Sequence, residues 1–162
     1  MRDDFAAFIL THGRPHKVIT YETLKRAGYT GKIYIVIDNE DEWAEQYREV
    51  YGDKVLMFDK ADIAARFDEG DNFNDRRAIF YARNACFELA VQVGVKHFIQ
   101  LDDDYKNFRY RIDGDGQYTT VYCRSIDRLF SLMVDYLDAT PFLSVAMSQG
   151  GDHIGAVCRG RN

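Results

Sequence analysis

Apolar residues along this chain come in short unbroken runs, separated by stretches whose apolar positions fall at helical spacing. Phe5–Leu10, residues 33–37 and Val55–Phe58 are runs of strand length. Unbroken rather than alternating runs suit strands covered on both faces. Between them, Val18, Ile19, Leu24 and Ala27 predict a helix that opens at Pro15 and stops at Gly28. Trp43, Tyr47, Val50 and Tyr51 predict a second helix, and residues 59–67 a third. Ile79, Ala82, Cys86, Leu89, Ala90 and Val93 line one face of the best-patterned helix, which Gly94 ends. The next run, with Phe98, Ile99 and Leu101, reads as the central strand and ends abruptly in Asp102, Asp103 and Asp104. Strand and helix alternate up to that point. The fold predicted is therefore α/β: a three-layer sandwich with a mostly parallel central sheet, right-handed crossovers and helices on both faces.

Beyond the triplet the period changes. Phe108, Tyr110 and Ile112 alternate with Arg109 and Arg111, Asp113-Gly114-Asp115-Gly116 is a turn, and residues 118–122 alternate again. This is a hairpin signal. The turn is not a helix-loop-helix calcium site, because Arg124 stands where a closing Glu belongs. Ile126, Leu129, Phe130, Met133 and Leu137 predict a further helix, capped by Ser125 and ended by Thr140-Pro141. Residues 142–147 read as a last strand with an apolar edge that invites self-association, and 148–153 as a loop. Residues 67–75 turn to Asp, Glu, Asn and Gly, the composition of a mobile acidic loop.

Length and composition narrow the class. The chain has 162 residues, which is one domain, and 46% hydrophobic residues are enough for a core. The net charge of -5 excludes a broadly basic surface that coats nucleic acid, though not a local basic patch. Cys86, Cys123 and Cys158 are too few and too widely spaced for a disulfide framework or a zinc site. No signal peptide and no membrane-spanning run is visible, so a cytoplasmic protein is expected (of the host cytoplasm, if viral).

The candidate chemistry sits at the end of the fourth strand. Three adjacent like charges repel, and a divalent cation is their natural partner. Mg²⁺ takes one or two carboxylates and completes its shell with water and substrate phosphate oxygens. The carboxyl edge of a parallel sheet is also where open α/β folds bind ligands. A solvated acidic turn is the alternative reading of the three residues alone.

Ala82-Arg83-Asn84, a helix, and then Leu101-Asp102-Asp103-Asp104 resemble the Ala-Arg-Asn … Leu-Asp-x-Asp arrangement of glycosyltransferases with the nucleotide-sugar-binding GT-A fold. Thr11-His12-Gly13-Arg14-Pro15 is similar to that family's Thr-x-x-Arg-Pro opening, and Asp38 stands where the family places its base-recognising carboxylate. The likeness spans about residues 5–105. It implies a metal-dependent transfer of sugar from a nucleotide-sugar donor, with UDP as the nucleotide, to an acceptor hydroxyl. Mn²⁺ or Mg²⁺ is the implied cofactor. Thr11, Arg14, Asp38, Arg83, Asp102 and Asp103 are the implied donor-binding residues, and Asp104 with Asp102 the metal ligands. Each role has a chemical basis. Asp38 can accept from a pyrimidine N–H, and Arg14 can grip a base or phosphate bidentately. Arg83 lies beside an apolar helix face and needs an anion, either pyrophosphate or a triplet carboxylate.

An inverting enzyme of this kind also needs a carboxylate base, and Asp152 is the only late acidic residue. His153 is a lone loop histidine. Leu101-Asp102-Asp103-Asp104-Tyr105 followed by Phe108 is similar, more finely, to phage and virus glycosyltransferases thought to decorate modified DNA bases. A modified DNA base is thus a possible acceptor. Two alternatives stay open on the residues. A nucleotidyltransferase would share the sheet and metal but should open with a Gly-rich phosphate loop, and Thr11-His12-Gly13-Arg14-Pro15 has one Gly. A truncated, non-catalytic nucleotide-binding module is the other, because the chain stops about where an acceptor-binding half should start. The 162 residues then form the nucleotide-sugar-binding part of a longer catalytic domain. A Rossmann dehydrogenase is disfavoured, since no Gly-x-Gly-x-x-Gly follows the first strand.

Overall fold

The computed structural model describes residues 1–67, 79–112 and 118–148. Four strands form one parallel sheet in the order β3-β2-β1-β4. They are β1 (Phe5–Leu10), β2 (Lys32–Asp38), β3 (Val55–Phe58) and β4 (His97–Asp102). Helices α1 (Ile19–Arg26) and α2 (Ala44–Tyr51) connect the first three strands. Helices α3 (Lys60–Arg66) and α4 (Phe80–Gln92) precede β4. A hairpin of β5 (Arg109–Ile112) and β6 (Tyr118–Tyr122) and a last helix α5 (Ile126–Ala139) follow.

The alternation of side chains along β1 divides the core in two. Phe5, Ala7 and Ile9 face one side, with Leu24 of α1, Tyr47 of α2 and Phe130 of α5. Ala6, Phe8 and Leu10 face the other, with Ile63 of α3 and Tyr81, Ala85 and Leu89 of α4. The path from β1 to β3 steps one way along the sheet, and the return to β4 steps the other. Right-handed crossovers therefore put the two sets of helices on opposite faces. The three layers expected from the sequence are present.

β1, not β4, is the middle of the sheet. All six β1 residues are buried, and the strand pairs with both β2 and β4. β4 lies at the sheet edge among the described residues, and most of it is only half-buried. His97, Gln100 and Asp102 interrupt its apolar residues Phe98, Ile99 and Leu101, so its apolar content is half that of β1. Phe98 is held instead by its ring neighbours, Phe8 at 5.3 Å and Phe87 at 5.2 Å.

Three further expectations shift. The first helix is preceded by a separate 3₁₀ turn, Pro15–Lys17, because Pro15 fixes the turn while Val18 keeps a non-helical backbone. The inward face of α4 is carried by Tyr81, Ala85, Cys86, Leu89 and Ala90, while Ile79 precedes the helix and is exposed. Residues 142–147 form no strand. Phe142 stacks on Tyr136 at 5.9 Å and Leu143 is 99% exposed. An apolar run becomes a strand only where a ladder partner accepts it, and none is present among the described residues. The apolar strand edge expected there is accordingly absent. The acidic loop at 68–75 and the turn at 113–116 lie outside the described residues, as do Cys158, Asp152 and His153; residue 67, at the loop's start, is described.

Gly28 marks where α1 turns against the segment before α5. Its φ is +83°, and a Cβ there would stand 2.9 Å from the Arg124 carbonyl oxygen. Gly28→Ala combines a left-handed backbone penalty with a clash against main chain, and is expected to cost about 2–4 kcal/mol. Urea denaturation measures this; an unchanged midpoint contradicts it. Cys86 is buried, and burial pushes its thiol up to about 12. Native protein should therefore leave Cys86 unalkylated at pH 8 and expose it only in denaturant, as mass spectrometry of iodoacetamide-treated samples will show.

Candidate active site

The strand order reverses between β1 and β4, and the crevice at their carboxyl ends is where such sheets take ligands. A cleft of about 550 Å³ opens there, lined by the ends of β1, β2, β3 and β4 and by the start of α4.

The turn after β1 forms its floor. Asp103 is 1% exposed and carries two partners on one oxygen. Thr11 Oγ1 donates to Asp103 Oδ2 at 2.6 Å, and Arg14 Nε lies 2.9 Å from the same atom. Thr11 spends its single proton on Asp103, so the 3.0 Å bond between Thr11 Oγ1 and Tyr47 runs from the tyrosine hydroxyl to the threonine. Tyr47 O in turn accepts the Arg14 backbone N–H at 2.9 Å. A relay thus connects the Arg14 main chain through Tyr47 and Thr11 to Asp103. Burial raises the Tyr47 phenol above its ordinary range, which keeps it protonated and able to donate. Thr20, at the start of α1, holds the backbone of the triplet. Its Oγ1 donates to the Asp102 carbonyl at 2.5 Å and accepts Tyr105 N–H at 2.9 Å, while its own N–H bonds the Asp103 carbonyl at 3.0 Å.

A second cluster lies at the end of β2. Asp38 is buried, and its Oδ2 faces His12 Nδ1 at 2.9 Å and Lys60 Nζ at 3.4 Å. Its Oδ1 accepts the Glu40 N–H. Asp41 fixes the loop from behind, accepting Gly13 N–H at 2.8 Å and Trp43 N–H at 2.9 Å. Gly13 has φ +71°, a turn that a glycine makes without strain. Lys60 is 7% exposed, so its stem is enclosed and only its ammonium reaches Asp38 and the cleft.

The third group is Arg83. Its Nη2 donates to Asp102 Oδ1 at 2.9 Å, and its carbonyl accepts from Gln100 Nε2 at 2.7 Å. The anion that Arg83 needs is a triplet carboxylate. Asp102 also helps, after burial, to raise the Tyr105 phenol. Asp104 differs from its neighbours. It is exposed at the cleft and, among the described residues, makes no hydrogen bond or ion pair.

Thr11, Arg14, Asp38, Arg83 and the triplet therefore share one cleft. Asp152 and His153 lie outside the described residues. The sequence reading passed over His12, Tyr47 and Lys60. Tyr47 has the helical spacing of a core residue, which gives no sign that its hydroxyl enters the site. Lys60 follows the third strand just as Thr11 follows the first and Asp38 ends the second, and position at a strand's carboxyl end is the signal that identifies it.

A divalent cation would need oxygen donors that face the cleft. Among the described residues no three His, Cys, Asp or Glu side chains converge as a ligand cluster. Asp103 is buried and its Oδ2 is taken by Thr11 and Arg14, which makes it the least suited of the three to a ligand set. Asp104 and, beside it, Asp102 are the hard oxygen donors that face the cleft. One or two carboxylates, with the remaining positions left to water and phosphate, is the donor set that Mg²⁺ or Mn²⁺ takes, so the residues fit.

Comparison with known proteins bears on the chemistry. No curated protein and no solved structure matches the chain. No helix among the described residues is long and apolar enough to cross a membrane. A family model does match, described as TET-associated glycosyltransferase, and it spans residues 5–160. That match runs from β1 through the whole cleft and beyond α5. The nucleotidyltransferase alternative gives way, and the chain belongs to the TET-associated glycosyltransferase family.

Proposed function

We propose that this glycosyltransferase binds a UDP-sugar in the cleft at the β1/β4 switch point with Mg²⁺ or Mn²⁺, and transfers the sugar to the hydroxyl of a hydroxymethylated DNA base. One observation carries the donor and metal parts. Three cleft carboxylates each have a cation, Asp103 with Arg14, Asp102 with Arg83 and Asp38 with Lys60. Asp104 alone among them has none among the described residues. Its charge is left for something brought by the ligand. The acceptor follows from the likeness to glycosyltransferases of modified DNA bases that Leu101–Phe108 carry.

In this reading Asp104 and Asp102 hold the cation, which when bound stabilises negative charge on the departing nucleoside diphosphate. Arg83 and Arg14 add fixed positive charge at the diphosphate end, where charge grows as the glycosidic bond breaks. Asp38, His12 and Lys60 form the nucleoside end. Asp38 already holds both His12 Nδ1 and Lys60, so it acts on the base by orienting those two donors. The buried Thr11–Tyr47–Asp103 relay keeps the Arg14 turn and the triplet in fixed relation.

Calorimetry with UDP tests the metal. Binding is expected in Mn²⁺ and is expected to weaken at least tenfold, about 1.4 kcal/mol, in EDTA. Asp104→Asn should bind UDP in Mn²⁺ no better than wild type binds it in EDTA. Equal affinity of the wild type with and without metal removes the cation from the proposal. Lys60→Met keeps the enclosed stem and removes the charge. It is expected to weaken UDP by roughly tenfold while leaving the Mn²⁺ dependence in place. Unchanged affinity in a variant that melts like the wild type removes Lys60 from the nucleoside end.

A further inference from the structure

Several cations of this chain sit on carboxylates, and among the described residues several exposed ones do not. Arg2 pairs with Asp4, Arg48 with Glu45, Arg66 with Glu88 and Lys96 with Asp138. Four of those without a carboxylate lie close to one another and beside an exposed aromatic. Arg26, Lys106, Arg109 and Arg124 are exposed, and among the described residues none of them pairs with a carboxylate. They belong to one surface. Arg26 Nη2 donates to the Lys106 carbonyl at 3.2 Å, Phe108 accepts Cys123 N–H at 2.9 Å, and the Arg124 carbonyl packs against Gly28. Residues 105–112 hold three cations and no acid, and residues 118–126 one cation and no acid, in a chain of net charge -5. The turn between them, 113–117, carries Asp113 and Asp115 and lies outside the described residues.

The same surface carries an aromatic. The Arg109 guanidinium lies over the Tyr122 ring, 4.6 Å from its centroid, and Nη2 donates to the Tyr122 hydroxyl at 3.0 Å. Tyr122 and its neighbour Val121 are more than half exposed. A tyrosine orients Arg109 without neutralising it, whereas a carboxylate would cancel its charge. Arg109 follows Asp104 by five residues, so chain length alone keeps it within about 18 Å of the cleft.

We infer that the β5–β6 ribbon and the adjoining end of α1 form a docking surface for the phosphate backbone of the nucleic acid that presents the acceptor, an inference that rests on the DNA-acceptor reading above. Unneutralised arginines and lysines beside an exposed aromatic are the chemistry that grips a phosphate backbone and stacks on bases. A net acidic protein needs such a local patch, because its overall field repels DNA. The position beside the cleft lets the grip hold a strand while one base is turned toward the donor.

The test measures binding of a fluorescent hydroxymethylated DNA duplex by anisotropy, from about 50 to 200 mM salt, alongside UDP calorimetry. The variants are Arg109→Glu/Arg124→Glu, Arg124→Ala, and Lys54→Glu, an exposed control ahead of β3. The wild type is expected to bind with a strong salt dependence. The double variant should bind at least about tenfold more weakly, with a log–log salt slope lower by about 2, and Arg124→Ala should lower it by about 1. UDP affinity should not change in any of them. Duplex binding by the double variant with wild-type affinity and slope overturns the docking surface and leaves the acceptor reading standing. An equal loss in Lys54→Glu makes the effect one of overall charge and overturns it as well. No duplex binding by the wild type at 50 mM salt, with UDP still bound, removes the DNA acceptor and the docking surface together. Should the double variant fail to fold, the slope of Arg124→Ala decides alone.

Discussion

The buried carboxylate of Asp103 is the point on which the site depends. A charge taken out of water is costly unless it is paired and fully hydrogen-bonded, and removing one partner of such a pair costs several kcal/mol. Here the partners come from the turn after β1, through Thr11 and Arg14. The carboxylate itself follows β4. The two strands flanking the switch point are therefore joined by polar contacts as well as by their ladder. Tyr47 brings α2 into the same network, and Thr20 brings in α1. Four elements converge on one triplet.

The charge balance of the cleft follows from that arrangement. Consecutive residues at a strand end cannot all face the same way. Asp103 faces inward to Thr11 and Arg14, Asp102 meets Arg83 from α4, and Asp104 stays in solvent. Each cation arrives from a different element, so each pair cross-links two parts of the fold. Arg83 and Arg14 remain substantially exposed on the cleft side of their carboxylates. The Arg83–Asp102 pair is partly solvent-screened and contributes little to stability, whereas Arg14 neutralises a buried carboxylate. Both arginines hold positive charge in place beside the acidic residues, where in the proposed reading a diphosphate with its cation would meet both signs.

Much of this was legible in the sequence, and what was not has a physical cause. The runs at Phe5–Leu10 and residues 33–37 gave the buried strands, because only a strand covered on both faces is apolar at every position. The alternation with helices gave the parallel sheet, and the triplet at a strand's end gave the cleft. Strand order was not legible, since the pattern of β4 was taken for that of a central strand although His97 and Gln100 already diluted it. Residues 142–147 show the same limit: apolar content does not supply a ladder partner. Within the site, Thr11, Arg14 and Asp38 were singled out through the likeness to GT-A glycosyltransferases, and all three line one cleft. The direction in which each triplet carboxylate faces was not, because that depends on Thr20 and Tyr47, which touch the triplet only once the chain is folded.

The hairpin and the cleft use arginine in opposite ways. In the cleft, Arg14 and Arg83 are matched to carboxylates, and the site is close to neutral apart from Asp104. On the ribbon, Arg109 is matched to a tyrosine ring and keeps its charge. Both arrangements fix the guanidinium, since planar stacking and a bidentate-capable fork each restrict its rotamers. They differ in what is left over. The neutral pairs of the cleft admit a ligand that carries its own counter-charge, such as a diphosphate with a divalent cation. The unneutralised surface favours a ligand that carries negative charge without one. In the proposed reading, a cluster of cations that no described carboxylate neutralises and a separate cleft holding the unpaired Asp104 would let two differently charged substrates be met by two surfaces of a chain of net charge -5.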